Sequence, residues 1–261
     1  EAFAVARTSL LATCRQLEAR LAQLPEAGPG LGEAVHEIRK TGKKLRGGLL
    51  IARADKKLIW RVAMVGRLLG RTRDAAVRWE TWQGLMGGKA EVGSEEALIA
   101  RMLEHEAGEA SDAPQQEVVD WLRAGMAEVG DFIDGCLMEQ LAEHCRVGEK
   151  RLRQRLRKRL RRAVDHGEDA DFHEARKVAK FWLGGMTLVA PMRVDLIKEV
   201  LTDLAEILGH EHDLGVLGAW MEAQGFSRAR APKVWRRLRK DEARTRKAAL
   251  RLIRREVLPR L

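Results

Sequence analysis

The sequence predicts an all-α protein folded as antiparallel helical bundles, with an internal duplication. Three observations predict it. Tyr is absent, Phe numbers five and Pro six. Strands favour aromatic and β-branched residues, whereas the abundant Leu, Ala, Arg and Glu favour helices. Apolar residues recur at helical spacing between short clusters of Gly, Pro, Ser and Asp. Finally, a segment around residue 36 is repeated around residue 173.

The elements follow from the punctuation. Breaks fall at 25–30 (PEAGPG), 87–94 (GGKAEVGS), 109–114 (EASDAP), 165–169 (DHGED), 190–191 (AP) and 225–232 (GFSRARAP), where helices start and stop. Between them lie helical patterns of ~12–30 residues, roughly ten helices in all, whose short connections imply antiparallel neighbours. Leu152, Leu156 and Leu160 in one arginine-rich stretch, and Trp235, Leu238, Ala249 and Leu252 in another, keep helical spacing, so both stretches are packed helices. No low-complexity linker splits the chain. Residues 1–261 read as one domain made of two repeats, about 1–110 and 111–261.

Charge is unevenly spread. Lys and Arg number 48 against 38 Asp and Glu, a net +10. Yet Glu91 to Glu143 holds 14 acidic and two basic residues. Arg146 to Arg162 holds ten basic residues and one acid, and Arg228 to Leu261 holds 14 against three. Such blocks set up a field that attracts polyanions. An apolar share of 45% excludes wholesale disorder. Three cysteines without CxxC spacing argue against a zinc site or a disulfide framework and fit a reducing compartment. No apolar run approaches the ~18 residues of a membrane span, and no secretory leader is read. The expected location is cytoplasmic, with no membrane partner.

The repeat carries the functional signal. Residues 35–49 read VHEIRKTGKKLRGGL and residues 172–186 read FHEARKVAKFWLGGM. His36, Glu37, Arg39, Lys40, Lys43, Gly47 and Gly48 recur as His173, Glu174, Arg176, Lys177, Lys180, Gly184 and Gly185. A second pair follows: LLGRTRD at 68–74 and ILGHEHD at 207–213. On a helix, His36, Arg39, Lys40, Lys43, Arg46 and Gly47 share one face, while Ile38, Leu45 and Leu49 lie opposite. His173, Arg176, Lys177, Lys180 and Gly184 share a face likewise, with Ala175, Trp182 and Met186 opposite. A glycine on a cationic face removes bulk where a ligand could press close; close helix packing explains it equally. Asp74 and Asp213 each follow a Leu-Gly near an expected helix start, which suits an N-cap or an ion pair with a basic helix.

These segments resemble the CHAD family, the conserved-histidine α-helical domains. That family's motif is a His followed by Arg at +3, basic residues at +7 and +8 and then Leu-Arg, repeated once, with a Leu-Gly…Asp segment after each copy. The first copy supplies His36, Arg39, Lys43, Lys44, Leu45 and Arg46. The second supplies His173, Arg176 and Lys180, then departs with Phe181, Trp182 and Leu183. The resemblance covers nearly the whole chain, including the arginine-rich helix at 146–162. It implies two pseudo-symmetric bundles around a central basic groove or pore, and binding of inorganic polyphosphate. It also implies an association with polyphosphate granules and triphosphate-tunnel enzymes. Arg73, in the LLGRTRD segment, and Arg153 and Arg157, on the arginine-rich helix, join the candidate binding residues.

Physical chemistry supports the same expectation. Polyphosphate has no bases to stack and no edges to read, so its binder needs Lys and Arg on rigid elements. Histidine adds a donor whose charge the anion can draw out. A nucleic-acid binder is the first alternative. It lacks support from a helix-turn-helix or RNA-binding strand motif, and the Phe and Trp residues sit mostly at core-type positions. A metal-dependent phosphohydrolase is the second. His210, His212 and Asp213 superficially suit it, but positions two apart do not share a helix face. His105, His144 and His166 read as surface residues. No catalytic residue, metal ligand or cofactor is expected.

Overall fold

A computed structural model describes residues 3–25, 28, 30–87, 93–109 and 114–261; the side chains of 71–73, 109 and 196 are also outside the described set. The helices are α1 (Ala6–Ala22), α2 (Leu31–Ile51), α3 (Lys56–Leu68), α4 (Gly70–Met86), α5 (Glu95–Glu109), α6 (Gln116–Gly135), α7 (Met138–His166), α8 (Asp169–Val189), α9 (Pro191–Ala223) and α10 (Pro232–Leu252). A π-helical turn, Ile253–Val257, joins α10 to a last short helix, α11 (Leu258–Arg260). No strand occurs among the described residues, so the fold is all-α as the composition requires. None of these helices is long and apolar enough to cross a membrane.

Local chemistry sets the ends. Proline opens α9 and α10, where a missing amide hydrogen costs nothing. Gly87 and Gly167 close α4 and α7 with φ of 67° and 72°, a left-handed conformation that suits glycine. Three junctions carry no Gly-Pro cluster and were invisible to punctuation. Between α2 and α3, Asp55 caps the new helix by accepting from the Lys57 amide at 2.6 Å. The α3–α4 junction is Leu69 alone, and α6 meets α7 through an extended Cys136–Leu137 pair.

The buried set follows the helical periodicity. Ile38, Leu45 and Leu49 of α2, Ala175, Trp182 and Met186 of α8, and Leu152, Leu156 and Leu160 of α7 lie in one large core. A smaller core gathers Trp82, Ile99, Leu103, Leu217, Met221, Phe226, Trp235 and Leu238. It ties α4 and α5 to the C-terminal half of α9 and the start of α10.

The central contact is α2 on α8. Here the glycines serve helix packing and not ligand access. A Cβ on Gly47 would lie 2.8 Å from the Gly185 amide nitrogen and closer still to the Phe181 carbonyl oxygen. A Cβ on Gly184 would lie 3.3 Å from the Lys44 Cα. Gly48 is filled by the Leu10 side chain and Gly148 by the Ile51 carbonyl, so α1 and α7 seat against the same crossing. The expectation that Gly47 and Gly184 open space for a ligand is thereby corrected. Gly47→Ala should destabilise the protein by about 1–3 kcal/mol, the cost of overpacking. Gly215→Ala, in the exposed interior of α9 where an added Cβ meets nothing within 4 Å, should stabilise it by ~0.5–1 kcal/mol. Urea unfolding of the two variants checks both signs.

Candidate functional site

Crossing α2 over α8 turns their cationic faces toward each other, and α3 walls the space between. The result is a concavity of about 780 Å³. Arg39, Lys43 and Arg46 of α2, Lys56 and Arg67 of α3, and His173, Arg176, Lys177 and Lys180 of α8 line it, with no carboxylate among the lining residues. Leu50, Ile59, Trp60, Ala63, Met64 and Phe181 complete the wall.

Arg39 is held from behind. Arg39 donates to the Gly70 carbonyl at 2.9 Å and the Leu69 carbonyl at 3.4 Å, and pairs with Asp74 at 3.5 Å. The Leu-Gly…Asp segment is thus a seat for the motif arginine. Gly70 borders the seat, where an added Cβ would fall at ordinary contact distance, 3.7 Å, from the Arg39 guanidinium. Gly209 stands in the same relation to Arg176, at 3.9 Å. Asp74 is an ion-pair partner as expected, but it lies inside α4, whose N-cap is Leu69. Asp213 is not at a helix start at all, because α9 runs unbroken from Pro191 to Ala223. It acts by charge, favouring the charged forms of Arg176 and Lys180.

Crowding of like charge shows in the titrating groups. Lys180 is pushed down to about 8, first by burial, then by Arg176 and Lys43, with Asp213 and Glu206 opposing. Lys43 keeps an open side to solvent, yet crowding by protein, then Arg39 and Arg176, lowers it too. His173 is lowered by burial and by Lys177 and Arg176. Against it, ring centroids 4.8 Å apart, packs His212. Burial, then Arg176, His173, Lys180 and Lys43, pushes His212 down to about 4. The Nε atoms of Arg46 and Arg176 are buried without a hydrogen-bond partner. The Arg46 guanidinium lies 4.7 Å over the Phe181 ring, a cation–π contact.

The structure gathers seven of the expected site residues: Arg39, Lys43, Arg46, His173, Arg176, Lys177 and Lys180. Others lie elsewhere. His36 is exposed and does not line the concavity; the motif histidine that does is His173, with His212 packed against it. Lys40 pairs with Glu37 at 3.0 Å on the outer side, and Lys44 packs over Gly184. Arg153 pairs with Glu149 at 3.1 Å and donates to the Leu261 carbonyl. Arg157 lines a separate shallow pocket with Lys158, Arg161 and Arg162. The side chain of Arg73 is outside the described residues. Lys56, Trp60, Arg67 and His212 were missed. The first three recur at helical spacing along α3 with Ile59 and Ala63, a face that becomes legible once α2 and α3 are paired as antiparallel neighbours. Trp60 and Trp121 are 48% and 36% exposed, the exceptions among tryptophans that otherwise sit in or against the two cores.

His210 pairs with Asp241 at 2.8 Å and points away from His212's partners. Among the described residues no group of three or more His, Cys, Asp or Glu could hold a metal ion.

The family model of the CHAD domain matches residues 17–222. The chain belongs to the CHAD family. A crystal structure of the CHAD domain from the plant Ricinus communis matches with a TM-score of 0.59 at 20% identity, covering 98% of this chain and 91% of that one; the likeness is one of fold. No curated protein matches the chain. In this CHAD domain, Lys180 should titrate with a midpoint at about 8, readable by NMR of isotopically methylated lysines. Arg176→Ala or Lys43→Ala should raise that midpoint, and Asp213→Asn should lower it. A midpoint at the ordinary lysine value would refute the crowding.

Proposed function

We propose that this CHAD domain binds inorganic polyphosphate in the concavity between α2, α3 and α8, as a non-catalytic anion receptor. One observation carries the reading: eight lysines and arginines and a histidine line one cavity with no carboxylate among them. A polyanion restores what that assembly lacks. Its charge relieves the repulsion that lowers Lys180 and Lys43. Helices fix the cations in advance, which limits the entropy lost on binding. The setting is a cytoplasmic one, in company with polyphosphate granules or triphosphate-tunnel enzymes. Nucleic acid would compete weakly.

The test is a titration with long and short polyphosphate at several salt concentrations, with excess duplex DNA as competitor. Affinity should fall steeply with salt, because each neutralised phosphate releases counterions. Salt-independent affinity, or displacement by DNA, would overturn the reading. Lys43→Ala with Lys180→Ala should weaken short polyphosphate by about tenfold per residue, within the range of partly desolvated charge-assisted contacts. Arg153→Ala with Arg157→Ala should change it far less, because those residues lie outside the cavity.

Binding is also linked to protons. A bound anion favours the charged forms of Lys180, His173 and His212, whose free-state values lie below the ordinary ones. Binding therefore takes up protons, and affinity should drop as pH climbs through about 8, where free Lys180 loses its charge. Calorimetry in two buffers of different ionisation enthalpy measures the uptake. Lys180→Arg should abolish the component near pH 8 and keep the affinity.

A further inference from the structure

The cavity wall mixes two kinds of surface. Along α2, Arg39, Lys43 and Arg46 give way to Leu50; Lys43 and Leu50 are seven positions apart, ~10 Å along the axis. Along α8, His173, Arg176, Lys177 and Lys180 give way to Phe181. Helix α3 runs back along α2, and Arg39 reaches the carbonyls just past its C-terminus. Arg67 therefore stands at one end of the α3 wall and Lys56 at the other, with Ile59, Trp60 and Ala63 between them beside Leu50. A bare phosphate chain has no use for the apolar stretch.

Trp60 is the informative residue of that stretch. It lines the cavity with close to half its surface open to water. It is also braced: its ring meets Trp121 edge-to-face, centroids 5.7 Å apart at 87°, and the Arg61 guanidinium lies 4.7 Å from the Trp121 ring. Arg61 is itself tied to Glu128 at 2.8 Å. The Arg61 guanidinium also lies 6.0 Å from the Trp60 ring centroid; an indole so held, with close to half its surface still wet, keeps area on which a further flat group can stack.

We propose that the cavity takes a nucleoside oligophosphate, with the phosphate chain among Lys43, Arg176 and Lys180 and the base against Trp60. The proposal rests on the anion-binding reading of the same cavity and names the part of the ligand that reading leaves out. The volume, about 780 Å³, falls within the ~300–1,000 Å³ of small-molecule sites, a scale that suits one nucleotide rather than a wrapped strand. The lining sets apolar surface at Leu50, Ile59, Trp60 and Phe181 beside cations, Lys56 and Arg46 among them, which suits a ligand that carries both anionic groups and an aromatic ring.

Calorimetry at fixed ionic strength, without divalent cations, should compare inorganic tripolyphosphate with adenosine triphosphate. The nucleotide carries less charge, so electrostatics alone favours the inorganic ligand. We expect the nucleotide to bind about tenfold more tightly, the size of one base–aromatic stack. In Trp60→Leu the ratio of the two dissociation constants should fall to about one or below, and Trp60→Phe should keep part of the advantage. In Lys177→Ala both ligands should weaken together with the ratio retained. Equal or weaker nucleotide binding by the unmodified protein, or a ratio unmoved by Trp60→Leu, would overturn the proposal while leaving the anion site standing. A short single-stranded oligonucleotide that binds more tightly than the nucleotide, with the same dependence on Trp60, would overturn it in favour of a strand-binding surface. Failure of both small ligands to bind would overturn it together with the reading it rests on.

Discussion

The backbone-to-backbone approach of α2 and α8 is the constraint on which the rest depends. Gly47 and Gly185 leave no room for a side chain between the two helices. Packing at that crossing therefore uses main chain, and the cationic side chains on either side are free to point into the cavity. Gly48 and Gly148 extend the same device, letting α1 seat through Leu10 and α7 against the end of α2. Four buried glycines thus convert two amphipathic helices into one charged wall. Each glycine costs about 1 kcal/mol of helix propensity, offset by the dispersion contacts of a close crossing.

The wall is held in electrostatic tension by cations crowded into one concavity. Around α7 and α10 it is the buried carboxylates that are matched at short range. Buried Glu149 has Arg153, buried Asp171 has Arg162 and His166, and buried Glu211 has Arg246, which also bonds Asp169. Asp241 has Arg244 and His210, and Glu242 has Arg239. These pairs tie helices together; removing one partner would strand a buried carboxylate. In the cavity the carboxylates stand behind the cations instead. Asp74 steadies Arg39, and Asp213 and Glu206 act on Lys180 only in part, since burial and like charge still prevail there. Density of basic residues along the chain therefore does not mark the site; the convergence of cations from three helices into one concavity does.

That distinction explains what the sequence could and could not tell. Helix ends at Gly87, Gly167, Pro191 and Pro232 were legible because each residue acts through its own backbone geometry. The core faces of α2, α7 and α8 were legible because periodicity is a one-helix property. Arg39, Lys43, Arg176 and Lys180 were legible through the repeat. What depends on a second element was not. The role of Gly47 needs Phe181 and Gly185 in place; the membership of Lys56, Trp60 and Arg67 needs α3 folded back on α2; the neutral character of His212 needs His173 and Arg176 around it. Of the two readings of Asp213, the N-cap falls and the charge interaction with a basic helix remains, because the two Leu-Gly…Asp segments differ. The chain breaks at Leu69 in the first and runs straight through Leu208 in the second, so only Arg39 finds helix-terminal carbonyls to bond.

The departures between the two motif copies also make the site asymmetric. Were both copies alike in surroundings, a ligand would meet the same chemistry from either end. Instead the cavity lies on the side of α3, and the corresponding stretch of α9, residues 195–207, does not line it. Phe181 stands where the first copy has Lys44. Lys44 faces Gly184 at the helix crossing, whereas Phe181 faces the cavity under Arg46. Phe181 lines the wall where a basic residue would add a cation, and it puts an aromatic surface there instead, near Leu50 and Trp60. Divergence of the second motif thus makes the two helical faces unlike, and a ligand meets different chemistry along α2 and along α8.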